Sequence, residues 1–133
     1  MWRSSSLPAS LLGLALVAST SFGSVPLVKH EPVASRYLRV SVAHWNINTD
    51  SPEAERIFRQ IETDGVAVFR AQPGFIRYRL MRADSTTTVA VAEWESEELG
   101  RAGAERYRAW MRSVGIMDHI TLETRSGDIV AGS

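Results

Sequence analysis

"VAVAEWESEE", residues 89–98, decides the fold: a short alternating segment runs straight into a helix start. Ser96 stands as N-cap, and Glu97 and Glu98 are favourable at the positive end of a helix. Alanine is a poor strand former, so Ala90 and Ala92 do little for the sheet except leave space above it. Trp94 stands at the end of that space.

Working upstream, Asp84 to Thr87 turn the chain and "FIRYRLMRA" (75–83) alternates as a second strand. Gln72-Pro73-Gly74 is a breaker. Before it, Ala54, Ile57, Phe58, Ile61, Gly65, Val68 and Phe69 recur at helical spacing behind Ser51 as N-cap and Pro52 at the first helical position. "YLRVSVAHWNI" (37–47) is a first strand. Downstream, the second helix carries Leu99, Gly103, Tyr107, Trp110 and Val114 as its stripe. "HITLETRSGDIV" (119–130) supplies a fourth strand, broken by a Ser-Gly-Asp turn. The order βαββαβ predicts an α+β, ferredoxin-like antiparallel sheet with two helices on one face. A domain of this size with one sheet face bare is poorly buried. A homodimer is expected, joined through the face carrying Ser41, Ala43, Val89 and Val91.

Residues 36–133 form this domain and 25–35 a Pro-containing linker. Residues 1–24 have the grammar of a signal peptide: Arg3, a short apolar run Leu11 to Ala18, then small residues. The run is too short for stable membrane insertion. The expectation is a secreted or periplasmic protein; the alternative is a cytoplasmic one whose start lies near Val33. Basic and acidic residues balance at fifteen each, which argues against a nucleic-acid partner, and the 133-residue chain has no cysteine for disulfides, thiolate metal sites or a thiol nucleophile. No G-x-S-x-G, P-loop, G-x-G-x-x-G or zinc spacing is present.

Hairpin register sets the faces, because a one-residue slip turns a strand over. A three- or five-residue loop places Ala90, Ala92 and Trp94 beside Leu80, Tyr78 and Ile76, with Arg77 opposite Glu93. On strand one, Leu38, Val40 and Val42 are taken to face the helices, continued by His44 and Asn46. The expected site is an apolar cavity between sheet and helices. Ala90 and Ala92 form its floor, Tyr78, Leu80 and Trp94 its walls, Gly100, Ala102, Gly103 and Tyr107 the facing helix, and His44 and Asn46 its rim. Such a cavity with a few convergent polar groups is the usual form of a small-molecule site. The blander alternative is plain core, which Trp110 is taken to be.

"VAEWESEE" preceded by "QPGFIRYRLMRA" resembles the antibiotic biosynthesis monooxygenase family of dimeric α/β-barrel proteins, over about residues 36–130. The resemblance implies a homodimer whose sheets form a barrel, with one pocket per subunit. It implies oxidation of aromatic quinols or polyketide anthrones by O2 with no metal or flavin, or, in another branch, haem degradation; many members have no known activity. It places Trp94 in the pocket and Asn46 near a functional asparagine of the haem branch. That branch takes an iron-ligating histidine from its second helix, and residues 97–114 hold none. The anthrone branch has an asparagine where this chain has Ala90. On this basis His44 is expected as the base, because histidine titrates near neutral pH. Asn46 and the Trp94 N–H are expected as donors to a developing oxyanion, and Tyr78 as a stacking partner. The alternatives are a non-enzymatic ligand-binding or structural dimer of the same fold and, third, a haem protein.

Overall fold

A computed structural model describes residues 36–133; the signal peptide expected over 1–24 and the linker expected over 25–35 lie outside the described residues. The order is β1 (Tyr37–Trp45), α1 (Pro52–Gln60), a π-helical turn (Ile61–Gly65), α2 (Val66–Arg70), β2 (Phe75–Asp84), β3 (Thr87–Trp94), α3 (Glu97–Ser113), a 3-10 turn (Ile116–Asp118) and β4 (Ile120–Asp128). The strands form one antiparallel sheet in the order β2-β3-β1-β4. This is the ferredoxin-like arrangement the sequence predicts.

Both helix starts follow local chemistry. Ser51 Oγ accepts from the Ala54 amide at 3.2 Å, with Pro52 behind it, and Ser96 Oγ accepts from the Leu99 amide at 3.3 Å. The π-helical turn interrupts what reads as one uniform helical stripe. Thr63 Oγ1 donates back to the Arg59 carbonyl at 3.0 Å, competing with the backbone ladder. Gly65, buried at the end of this turn, admits Trp110: a Cβ there would stand 2.9 Å from the indole. The α3 stripe also differs from the expected one. Gly100, Gly103, Tyr107 and Met111 are buried, whereas Val114 is exposed. β4 runs unbroken through Ser126-Gly127-Asp128, because these residues complete the ladder to Arg39, Leu38 and Tyr37.

The β2–β3 register is the predicted one, reached by another route. The turn is only Ser85-Thr86, which by itself would set the alanines against the arginines. A bulge between Arg82 and Asp84 shifts the pairing by one residue. Leu80 then faces Ala90, Tyr78 faces Ala92, and Arg77 faces Glu93. A second irregularity between Phe75 and Arg77 puts Phe75, not Ile76, opposite Trp94. Glu93 is buried and held by Arg77 at 3.2 Å and Arg36 at 3.1 Å.

The faces of β1 are the reverse of the expectation. Its register pairs Tyr37 with Trp94, Arg39 with Ala92, Ser41 with Ala90 and Ala43 with Thr88. Directly opposite residues share a face, so Tyr37, Arg39, Ser41, Ala43 and Trp45 look toward the helices. Leu38, Val40, Val42 and His44 occupy the open face with Val89 and Val91. The expected dimer face is therefore corrected: Val89 and Val91 belong to it, and Ser41 and Ala43 do not.

Candidate functional site

Between sheet and helices lies a cavity of about 80 Å³. Ala90 and Ala92 floor it, with Ser41 and Ala43 beside them from β1. Tyr78 and Leu80 wall one side and Trp45 and Trp94 the two ends, under Tyr107 and Met111 of α3. Phe69 is the hub of the aromatic wall. It stacks on Tyr107 at 4.0 Å between centroids, meets Tyr78 at 4.6 Å and lies 5.9 Å from Trp94. Phe75 closes edge-on against Trp94 at 5.5 Å.

The tryptophan at the strand–helix junction has its room because α3 has no side chain there. A Cβ on Gly103 would come within 2.1 Å of the indole, and one on Gly100 within 3.2 Å of it. Trp94 is completely buried, and its Nε1–H has no hydrogen-bond partner among the described residues. The second indole of the cavity is satisfied: Trp45 Nε1 donates to Thr88 Oγ1 at 2.9 Å. Tyr107 Oη is also buried, with the Tyr78 hydroxyl as its polar neighbour but no hydrogen bond of good geometry among the described residues. Buried polar groups are nearly always paired, and an orphan invites explanation by function. Here the Trp94 N–H is such an orphan, on a side chain that lines the cavity.

Burial pushes the phenol of Tyr78 above its ordinary range. For Tyr107 burial acts the same way, and the neighbouring Tyr78 adds to it. Both stay protonated well beyond neutral pH. The remaining polar lining is Ser41, Arg39 and Arg108. Ser41 shares a hydrogen bond with Thr124 at 3.1 Å.

Of the residues expected in the site, Trp94, Tyr78, Leu80, Ala90, Ala92 and Tyr107 all line this cavity. His44 and Asn46 do not. His44 lies on the open face, exposed, with Nε2 3.6 Å from Glu123. Asn46 follows the end of β1, where Nδ2 donates to the Asp118 carbonyl at 3.0 Å and Oδ1 lies 3.3 Å from His119 Nδ1. Ala102 is exposed. Arg39, Ser41, Trp45, Arg108 and Met111 were not expected there. Their β1 members were hidden by the inverted face; Arg108 and Met111 follow from Ala104 at helical spacing, a signal the Trp110 stripe concealed.

A four-stranded antiparallel sheet with helices on one face and an aromatic cavity between the layers defines a ferredoxin-like protein. The chain belongs to the antibiotic biosynthesis monooxygenase family, whose model matches residues 43–115. Among solved structures it is similar to SnoaB, a cofactor-independent oxygenase from Streptomyces nogalater, at 20% identity over 75% of this chain and 96% of that one, with a TM-score of 0.57. A dimeric ferredoxin-like protein from an uncultured marine organism is 14% identical over 74% and 97%, also at 0.57. A Nitrosomonas europaea protein of unknown function is 11% identical over 75% and 95%, at 0.56. No curated protein matches the chain. At these identities the likenesses establish the fold alone.

Proposed function

We propose that the chain is a cofactor-independent monooxygenase acting on an electron-rich aromatic of the quinol or anthrone type. The observation that carries the reading is the unpaired, fully buried N–H of Trp94 beside an apolar aromatic cavity. Where a substrate oxygen reaches it, an unpaired N–H in dry surroundings stabilises the negative charge that develops there. The substrate supplies the electrons. At an anthrone-type methylene two C–H bonds break; one atom of O2 becomes the carbonyl oxygen and the other leaves as water, so no further reductant enters. The protein contributes position and exclusion of water.

The cavity is smaller than the ~150 Å³ that holds a benzene ring in an engineered protein. A single ring then needs a shift of flexible lining side chains, of which Met111 is the most adaptable, and a tricyclic substrate needs a larger one. A porphyrin is far beyond this size, and α3 offers no histidine, so the haem reading is not pursued.

No carboxylate or imidazole lines the cavity. The ionised substrate is instead favoured by the two guanidiniums, Arg39 and Arg108. The rate is therefore expected to rise with pH along the substrate's own ionisation. Oxygen uptake with two quinols of different acidity should show the alkaline limb moving by their pKa difference. A limb fixed near pH 6.5, the ordinary histidine value, would return the base to a protein imidazole. The missing base also favours the second reading, a non-enzymatic binder of the same ligands. Absence of oxygen uptake across a panel of hydroquinones and anthrones that do bind would select it.

We also propose a homodimer through the open sheet face of Leu38, Val40, Val42, Val89 and Val91, edged by Met81 at 55% exposure. A continuous apolar face of this kind marks an interaction surface, and the marine neighbour is described as dimeric. Sedimentation should show a dimer at micromolar concentration and a monomer for Val40→Glu; a monomeric wild type refutes the assignment. Export by the leader stands as a proposal too, tested by the mass of the mature N-terminus.

A further inference from the structure

Three arginines of the described residues are half-buried, Arg36, Arg39 and Arg108, and the others are exposed. Arg36 is paired with Glu93. Arg39 and Arg108 have no carboxylate within 4 Å among the described residues. Both line the cavity, and both also line an adjoining groove of about 450 Å³ with Tyr37, Arg101, Glu105 and Ser126. Arg101 is engaged by Glu97. Glu105 is exposed and forms no ion pair among the described residues.

A charge withdrawn from water without a partner is costly. Arg39 incurs that cost on the helix-facing side of a central strand, between Ala92 and Ser126 in register. Arg108 reaches the same place from α3. Two guanidiniums from separate elements thus converge where the cavity meets the groove. The cavity behind them is aromatic, and its walls include Trp94 and Tyr107, whose N–H and O–H are buried. The planar fork of arginine matches a carboxylate in two-point contact.

We infer that Arg39 and Arg108 form a carboxylate anchor, so that the ligand is a small hydroxylated aromatic acid with its ring against Trp94 and Tyr107 and its carboxylate at the groove. This rests on the reading of the cavity as an aromatic site, which the neutral arm of the test examines separately. The anchor selects acids over neutral rings of the same size and fixes which edge of the ring meets the indole N–H.

The test is titration calorimetry with 2,5-dihydroxybenzoate, hydroquinone and phenyl phosphate. The benzoate is expected to bind about ten- to a hundredfold more tightly than hydroquinone, the range for hydrogen bonds to a charged group. Arg39→Gln and Arg108→Gln should each remove most of that advantage, weakening the benzoate far more than hydroquinone. Melting temperature should not fall in either variant, since neither arginine has a protein partner to lose. Arg108→Lys, which keeps the charge but not the fork, should recover only part of the preference. Equal affinity for acid and neutral ring overturns the anchor while leaving the aromatic site standing. So does a preference that survives both glutamine variants. Tighter binding of phenyl phosphate than of the benzoate overturns the carboxylate assignment. If no compound binds, the aromatic site fails and the anchor with it.

Discussion

Gly103→Ala is expected to destabilise the domain although alanine is the better helix former. The exchange gains about 1 kcal/mol of helix propensity. Against it stands one methyl group placed 2.1 Å from Cη2 and 2.4 Å from Cζ3 of Trp94. The indole is confined on every side but that of the cavity. It is wholly buried, with Phe75 edge-on at 5.5 Å, Phe69 at 5.9 Å and Gly100 against its other end. Overpacking a well-filled core costs typically about 1–3 kcal/mol and sometimes more. Here the intruding atom meets a rigid ring rather than a flexible chain end, so the upper part of that range applies. A net loss of about 1–2 kcal/mol corresponds to roughly 4–16 °C in melting temperature for a domain of this size. The cycle with Trp94→Phe isolates the cause, because the shorter ring leaves the space that the new methyl occupies. In that background Gly103→Ala should be neutral or stabilising. An equal penalty in both backgrounds would mean that the indole is not what the methyl strikes.

That contact shows where the sequence was legible and where it was not. Ser51, Pro52 and Ser96 announce the helix starts through chemistry confined to a few neighbouring residues, and local signals of this kind survive folding. The pairing of Arg77 with Glu93 also emerged, because that register alone keeps the helix-facing side of the hairpin apolar. The faces of β1 did not emerge. It is a central strand, and its two alternating sets are both compatible with burial: Leu38, Val40 and Val42 on one side, Tyr37, Ala43 and Trp45 on the other. Periodicity offers no preference between two apolar faces. The set chosen from sequence is the aliphatic one, which the chain keeps for its open sheet face. Everything hung on that strand moved with it, so His44 left the cavity and Arg39 entered. The bulge at Ala83 is another such case: it restores the register a two-residue turn would have lost, and nothing in "MRADST" marks it.

Trp94→Phe should have the largest effect on activity and a small one on stability. In a plain core position the exchange removes packed volume and lowers stability, as single substitutions do by about 1 kcal/mol on average. Here it also removes a buried N–H that has no partner among the described residues. An unsatisfied buried donor carries a desolvation penalty of about 1–3 kcal/mol, and relief of that penalty offsets the lost packing. Melting temperature should therefore stay close to that of the wild type. Catalysis should not survive so well. Loss of one preorganised donor to a developing oxyanion costs about 2.7–4 kcal/mol, or roughly a hundred- to a thousandfold in rate. Trp45→Phe supplies the contrast within the same cavity. Its Nε1 donates to Thr88 Oγ1 at 2.9 Å, so that exchange strands a hydroxyl on a residue only 2% exposed. It should lower stability where Trp94→Phe does not. The two variants, compared by thermal melting and by oxygen uptake per folded molecule, separate an indole kept for its N–H from one kept for its bulk. If Trp94→Phe melts well below the wild type and turns over at the same rate per folded molecule, Trp94 is packing and the oxyanion role falls.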